Sequence, residues 1–300
     1  MEKEYDVIII GGSYAGLSAA MALGRSIRRV LIIDSGKPCN RQTPHSHNFI
    51  THDGEVPAII AQKAKEQVLK YSTVRFTEGL AVSGERVGNK FQINLKSGQS
   101  FHAEKLLFAT GVKDIMPAID GFSECWGISV LHCPYCHGYE VRNKPTGIIA
   151  NGDFAFELAR LIHHWTKDLV VFTNGMSTLT SEQWRKIESH NIRVEETILE
   201  KINHKNGYVN SISLKGGKDI KVNAIYARPA LVQHCTIPQE LGCEVNEQNL
   251  LKVDAFHRTN VPGIYAAGDN TSMMRSVSLA VAGGGFAGAV INKEIIETMF

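Results

Sequence analysis

The chain has 300 residues, a hydrophobic fraction of 43%, a charged fraction of 21% and a formal net charge of +2. That length admits two domains or one large one, with the balance of an ordinary globular protein. Scattered basic residues and near-neutral charge give no footprint for nucleic acid, and no stretch reads as the run of about 18 apolar residues a membrane span needs.

The chain opens with MEKEYDVIII, which runs into a predicted strand, Asp6 to Ile10, without the basic start, apolar core and cleavage site of a signal peptide. A cytoplasmic location is expected, and in that reducing compartment the six cysteines do not form a disulfide framework. Cys39, Cys125, Cys235 and Cys243 are dispersed and read as buried or bland thiols.

Gly11-Gly12-Ser13-Tyr14-Ala15-Gly16 forms a tight loop after the first strand, Leu17 to Arg25 a small-residue helix, and Val30 to Ile33 a second strand ending at Asp34. This is one βαβ half of a doubly wound α/β fold. Phe91 to Leu95 alternates like an antiparallel strand, and Leu106-Leu107-Phe108 leads into Ala109-Thr110-Gly111. A second βαβ copy follows: strand Thr146 to Ile149, loop Ala150 to Ala155, helix Phe156 to Trp165 and strand Leu169 to Phe172. Gly11 and Asp34 have the same separation as Ala150 and Thr173, which implies an internal structural repeat. The last part is a strand into a turn, Gly263 to Gly268-Asp269, and a glycine-rich helix from Ser278 to Ile296. The expected architecture is two dinucleotide-binding, Rossmann-like domains, the second inserted into the first. Residues 1–115 and 236–300 make the first and 116–235 the second, with Pro117 and Pro229 in the crossings.

The two glycine loops differ in quality. Unpaired N–H groups at a helix start attract phosphate, and glycines let the chain turn tightly beside it. Gly11, Ser13 and Gly16 occupy the three fingerprint places, and Asp34 stands where an acid accepts hydrogen bonds from a ribose. The second loop places Ala150, Gly152 and Ala155 there, with bulky Phe154 beside the pyrophosphate path. Phe172-Thr173-Asn174-Gly175 supplies neither an acid for an NAD ribose nor arginines for an NADP phosphate. The expectation is a retained fold that binds NAD(P)H weakly or not at all.

Within the second domain, ahead of its βαβ copy, stands Cys133-Pro134-Tyr135-Cys136, followed by His137-Gly138-Tyr139-Glu140. Two thiols separated by two residues close into a disulfide and reopen, storing and releasing two electrons. Zinc would need a second such pair, and the sequence has none, so no metal site is expected. His137 can exchange a proton near neutrality and favour the thiolate of its neighbour.

These motifs, in this order, resemble the low-molecular-weight thioredoxin reductase family of flavoproteins over nearly the whole chain. CPYCHGYE looks like the branch that contains the gliotoxin and holomycin dithiol oxidases. The resemblance implies non-covalent FAD, with Gly11, Ser13, Ala15 and Gly16 around its pyrophosphate and Asp34 at the adenosine ribose. It further implies Thr110 and Gly111 lining the cofactor, Gly268 and Asp269 at its ribityl or phosphate part, and Ser276 and Val277 near the flavin pyrimidine edge. Asn48 is a weaker carry-over to the same site. Cys136 is implied next to the flavin, and Cys133 exchanges with the outside partner. The family's usual reductases have an acid where this chain has His137. A homodimer is also implied.

The resulting reading is an FAD-dependent oxidoreductase that passes two electrons between flavin, the Cys133–Cys136 pair and a thioredoxin-like protein or small-molecule dithiol or disulfide. Oxygen or a protein such as ferredoxin is the other electron partner. A conventional NAD(P)H-dependent thioredoxin reductase and a non-catalytic flavin redox sensor are the rivals.

Overall fold

The structure, a computed structural model, describes residues 4–300. The aliphatic run of Glu4–Ile10 makes the centre of a seven-stranded sheet. Its order is Val74–Glu78, Val30–Asp34, Glu4–Ile10, Ser100–Phe108, Lys90–Leu95, Ala81–Val87, and Ile264–Ala266 also pairs with Ser100–Phe108. The first half of Ser100–Phe108 pairs antiparallel with Lys90–Leu95, and its last residues pair parallel with Ile264–Ala266. Registers Ile10↔Ile33, Ile10↔Phe108 and Ala266↔Phe108 bring the carboxyl ends of four parallel strands to one edge. In an open α/β sheet that edge is where ligands bind.

The chain divides into two units, each with its own core. The first comprises the described part of Met1–Arg41, with Phe49–Asp114 and Leu231–Phe300, and the second comprises Gln42–Asn48 and Ile115–Ala230. The second unit has a parallel five-stranded sheet ordered Arg193–Glu195, Leu169–Phe172, Thr146–Ile149, Ala224–Ala227, Val130–Leu131. A three-stranded antiparallel sheet of Leu199–Lys205, Tyr208–Leu214 and Asp219–Lys221 packs on it through Leu199, Ile202, Val209, Ile212 and Ile225. Both dinucleotide-type units are therefore present, with the second inserted into the first.

Two expectations need correction. The helix after the second glycine loop is Gly152–Ile162, four residues earlier than its aliphatic pattern suggests, because Asn151 caps it. The helix Val277–Met299 is long and apolar enough to cross a membrane by length and composition, although no such run was expected. Its apolar character has a packing cause. Ala280, Gly284, Ala287, Gly288, Ile291 and Ile295 are buried, and the helix lies on Tyr14–Arg25. A Cβ on Gly284 would fall 2.0 Å from Ala15 O, and one on Gly288 would fall 2.7 Å from Ala19 O. Small residues here let two backbones touch.

This contact yields a stability prediction. Alanine is favoured over glycine in a helix by about 1 kcal/mol. At Gly284 the clash with backbone outweighs that preference, so Gly284→Ala destabilises the first unit by about 1–3 kcal/mol. A chemical unfolding curve shifted to lower denaturant checks it, and an unshifted or stabilised curve contradicts it.

Candidate active site

The first glycine loop sits at the sheet edge defined above. Gly11 has φ 108° and no room for a side chain, since a Cβ would lie 2.1 Å from Ala109 O. A Cβ on Gly16 would lie 1.8 Å from Gly11 O. Both glycines are thus required by close approach, as the fingerprint demands. The helix Tyr14–Arg25 begins directly after Ser13, whose side chain makes no capping hydrogen bond. The first-turn amides keep their capacity for an anion. Ala15 and Gly16 lie in that first turn. Asp34 Oδ2 accepts the Gly12 N–H at 2.6 Å and Oδ1 accepts the Gly36 N–H at 2.7 Å, which ties the acid to the loop.

Across the same edge, Thr110 follows the strand Ser100–Phe108, and its buried Oγ1 has no hydrogen-bond partner in the protein. Asn270 donates from Nδ2 to Phe108 O at 2.8 Å, yet its Oδ1 is equally unpartnered. Buried polar atoms without partners are costly, so two of them here, beside an open helix start, fit a polar ligand at this edge. Gly111 has φ 64° with open space on its Cβ side, and Gly268 has φ 95°.

Asp269 is not alone. Arg275 Nε donates to Asp269 Oδ2 at 3.3 Å, and its Nη1 and Nη2 make a bidentate pair with Asp114 at 2.6 and 3.2 Å. Burial pushes the Asp269 carboxyl above its ordinary value against the pull of Arg275. Burial opposes the Arg275 charge as well, but Asp114 and Asp269 hold it on. Cys39 Sγ lies 3.8 Å from Asp269 Oδ2, and the residue is exposed rather than buried. Ser276 caps Val277–Met299 by accepting the Leu279 N–H at its Oγ. Asn48, expected at the cofactor, has φ 58° and clusters with the second unit. Sequence reasoning missed Asp114, Asn270 and Arg275, because no motif spacing links an acid before one crossing to a base beyond the last strand.

In the second unit, Val130–Leu131 delivers the chain to the carboxyl edge of its sheet, where Pro134–His137 forms a single helical turn. Cys133 and Cys136 are joined as a disulfide across it. Cys133 Sγ accepts the Cys136 N–H at 3.2 Å, a bond that favours negative charge on that sulfur once the pair opens. The turn is pinned from below. Gly138 donates to Pro134 O at 2.7 Å, and a Cβ on it would meet Pro134 O at 2.5 Å and Trp165 Nε1 at 2.9 Å. Tyr135 stands edge-on to Trp165 with ring centroids 5.8 Å apart. His137 is largely enclosed; burial pushes its imidazole below the ordinary value, His47 adds to that, and Glu140 opposes it. Among the described residues no cluster could hold a metal ion.

The second glycine loop has the opposite character to the first. Asn151 Oδ1 accepts the Gly152 N–H at 2.8 Å and the Thr178 N–H at 2.8 Å, while Nδ2 donates to Met176 O at 2.9 Å. Asp153 stands in the first turn and accepts from Gln183 Nε2 at 2.7 Å. Phe154 carries the Arg228 guanidinium 4.0 Å above its ring. Beyond the strand Arg193–Glu195, Glu196 accepts the Ser177 N–H at 2.6 Å. A capped amide and an acid at the helix start disfavour a nucleotide phosphate.

Two dinucleotide-type units, one with an open phosphate loop and one with a dithiol turn, define a disulfide oxidoreductase of flavoprotein type. Residues 5–289 match the pyridine nucleotide-disulphide oxidoreductase family, and the chain belongs to it. It is 30% identical to thioredoxin reductase tcpT of Claviceps purpurea over 98% of this chain and 95% of that one. An oxidoreductase from Agrobacterium tumefaciens shares 35% identity at TM-score 0.92, covering 98% of this chain and 99% of that one. HlmI shares 29% identity at TM-score 0.93, covering 99% and 94%. The chain is therefore an oxidoreductase of the thioredoxin reductase kind, in the branch its CPYCHGYE motif suggests, and membership implies FAD.

The packing of the turn gives a prediction. Gly138→Ala forces Pro134–His137 away from Trp165 and misplaces both sulfurs. Dithiol turnover falls by about tenfold to a hundredfold, the range that displacements on the order of 1 Å produce. FAD content of the purified variant stays at the wild-type level. Unchanged turnover contradicts the assignment.

Proposed function

We propose that this protein is an FAD-dependent dithiol/disulfide oxidoreductase that works without NAD(P)H as its main electron partner. The Cys133–Cys136 disulfide on a one-turn helix beside His137 carries the reading. The cap on the second glycine loop supports the exclusion of pyridine nucleotide, because Asn151 already uses the amide a pyrophosphate would need. The outside partner is a small-molecule dithiol or a thioredoxin-like protein, and the terminal electron partner is oxygen or a protein such as ferredoxin.

FAD fits the first unit: Gly11, Ser13, Ala15 and Gly16 would hold its pyrophosphate and Asp34 its ribose. Thr110, Gly111, Gly268, Asp269, Ser276 and Val277 would line the rest, and Asn48 is kept as a weaker contributor. The cofactor supplies two-electron acceptance and release. The chain's own residues handle sulfur and protons. An incoming thiolate attacks Cys133 Sγ, the Cys133–Cys136 bond breaks, and Cys136 leaves as thiolate, with its charge near the His137 imidazole. The second thiol of the partner then attacks the mixed disulfide and frees Cys133. The partner loses two electrons and two protons, and the protein pair gains two electrons. One of those protons goes to solvent as the incoming thiol ionises, and His137 accepts the other as general base, which its low basicity allows near neutral pH. Electron flow in the other direction reverses each step.

An anaerobic titration tests the reading. Addition of NADPH or NADH leaves the visible flavin absorbance unchanged, while dithiothreitol bleaches it. Prompt stoichiometric bleaching by either nucleotide would instead establish a conventional reductase. Cys136→Ser keeps its FAD but is no longer bleached by dithiothreitol, and a variant still bleached at the wild-type rate removes the dithiol from the path.

The two acids separate the two loops. Asp269→Ala loses about 1.5–3 kcal/mol of FAD binding, roughly tenfold or more in affinity, the scale of a hydrogen bond to a charged group. Asp153→Ala leaves retention unchanged. Equal retention of FAD after gel filtration of both variants would put the cofactor site elsewhere.

A further inference from the structure

The short segment Gln42–Asn48 lies between the first unit's second strand and its next helix in sequence, yet it clusters with the second unit. It is fastened there by Gln42 Nε2, which donates to Trp126 O at 3.1 Å. Gly127 supports the seat, because a Cβ on it would lie 3.2 Å from Thr43 Oγ1. This attachment brings His47 to the dithiol turn. The His47 ring stands edge-on to that of His137, centroids 6.3 Å apart at 88°, and its Nδ1 lies 3.7 Å from Glu140 Oε1. His137 and Glu140 flank one turn of chain directly after Cys136, and His47 spans both.

We propose that His47 and Glu140 are a pair of positioning residues for His137, setting the orientation of its ring and the pH at which it accepts a proton from the dithiol. The inference rests on the reading of His137 as general base. A carboxylate behind a histidine fixes its ring and favours its charged form. Here a carboxylate and a second imidazole both act on His137, and their charges pull in opposite senses. Glu140 favours the protonated His137, and a charged His47 disfavours it.

The surrounding groups are few. The Cys133 and Cys136 sulfurs lie on the same turn as His137. His45 has its ring 6.5 Å from that of His47. Tyr226, in the adjoining strand, has a buried hydroxyl without a hydrogen-bond partner, and burial followed by the Glu140 charge pushes its phenol up, so it stays neutral. His132 and Arg142 are engaged with Trp126 and Tyr139 respectively. The net field on His137 is therefore decided chiefly by His47 and Glu140.

A base must be neutral to accept a proton, so the rate rises as pH climbs through the His137 pKa. Removing Glu140 takes away the group that holds this pKa up, and the acid limb moves to lower pH. Removing His47 takes away a group that holds it down, and the limb moves to higher pH. The experiment follows anaerobic reduction of the holoprotein by dithiothreitol between about pH 5 and 8, the range in which histidine titrates. Two readouts are recorded: the visible absorbance and the alkylation of released Cys133 and Cys136 thiols. Glu140→Gln shifts the acid limb down and His47→Gln shifts it up, each by about half a pH unit or more. Glu140→Asp, which keeps the charge, returns the limb toward the wild-type position.

Rates that fall in Glu140→Gln and His47→Gln without movement of the limb, or limbs that move in the same direction, overturn the proposal. His137→Gln separates the two levels of the argument. If it abolishes the limb while the other two variants leave the limb fixed, His137 is the base and the positioning pair is wrong. If it leaves the profile intact, the base itself is wrong and the pair falls with it.

Discussion

The backbone contact between Tyr14–Arg25 and Val277–Met299 is the constraint on which the first unit depends. Gly284 and Gly288 admit the carbonyls of Ala15 and Ala19 where any side chain would exclude them. That approach places the open start of one helix and the Ser276-capped start of the other on the carboxyl side of the same sheet. Ser18 Oγ reinforces it by donating to Val281 O at 2.7 Å. The same closeness explains the composition of Val277–Met299. A helix that must touch another at backbone distance carries glycine and alanine on the shared face.

Parallel register does the rest of the assembly. Gly11, Asp34, Thr110 and Asp269 come from four separate segments, and only the alignment of Ile10, Ile33, Phe108 and Ala266 gathers them at one edge. The partnerless Thr110 Oγ1 and Asn270 Oδ1 lie at that edge, and such unsatisfied buried polar groups are what a polar ligand there would satisfy. The Arg275 pairs with Asp114 and Asp269 have a related logic. A buried guanidinium needs more than one carboxylate to offset its desolvation, and Arg275 has two, Asp114 and Asp269.

Much of this was legible in the sequence because it is local. Glycines before a small-residue helix, an acid at the end of the next strand and two cysteines around Pro134-Tyr135 each report a backbone geometry within a few residues. The repeat of the βαβ unit was legible for the same reason. What was hidden depends on contacts between distant segments. Asp114 and Arg275 have no shared motif, and Gln42–Asn48 carries no composition that assigns it to one unit or the other. The helix start at Gly152 was hidden by chemistry rather than distance. Phe154 and Phe156 suggest a late start, but an Asn151 side chain that satisfies the first amide permits an earlier one.

The two copies of the βαβ unit show how small a change separates a phosphate site from a structural turn. In both, a strand ends, the chain turns and a helix begins at nearly the same position. Ser13 leaves the first turn's amides without a side-chain partner, whereas Asn151 closes its loop with bonds to Gly152, Met176 and Thr178. Asn151 is a good cap because its amide oxygen reaches the very N–H that a pyrophosphate would use. Helix stability and anion binding draw on the same donors, so strengthening one weakens the other. On the proposed reading, the second unit has exchanged a nucleotide for a more firmly closed loop and keeps the dithiol turn after the edge strand Val130–Leu131 of the same sheet. The electrons that turn handles must then enter or leave through sulfur and flavin, and the second fold serves as the scaffold that holds Trp165 under Gly138.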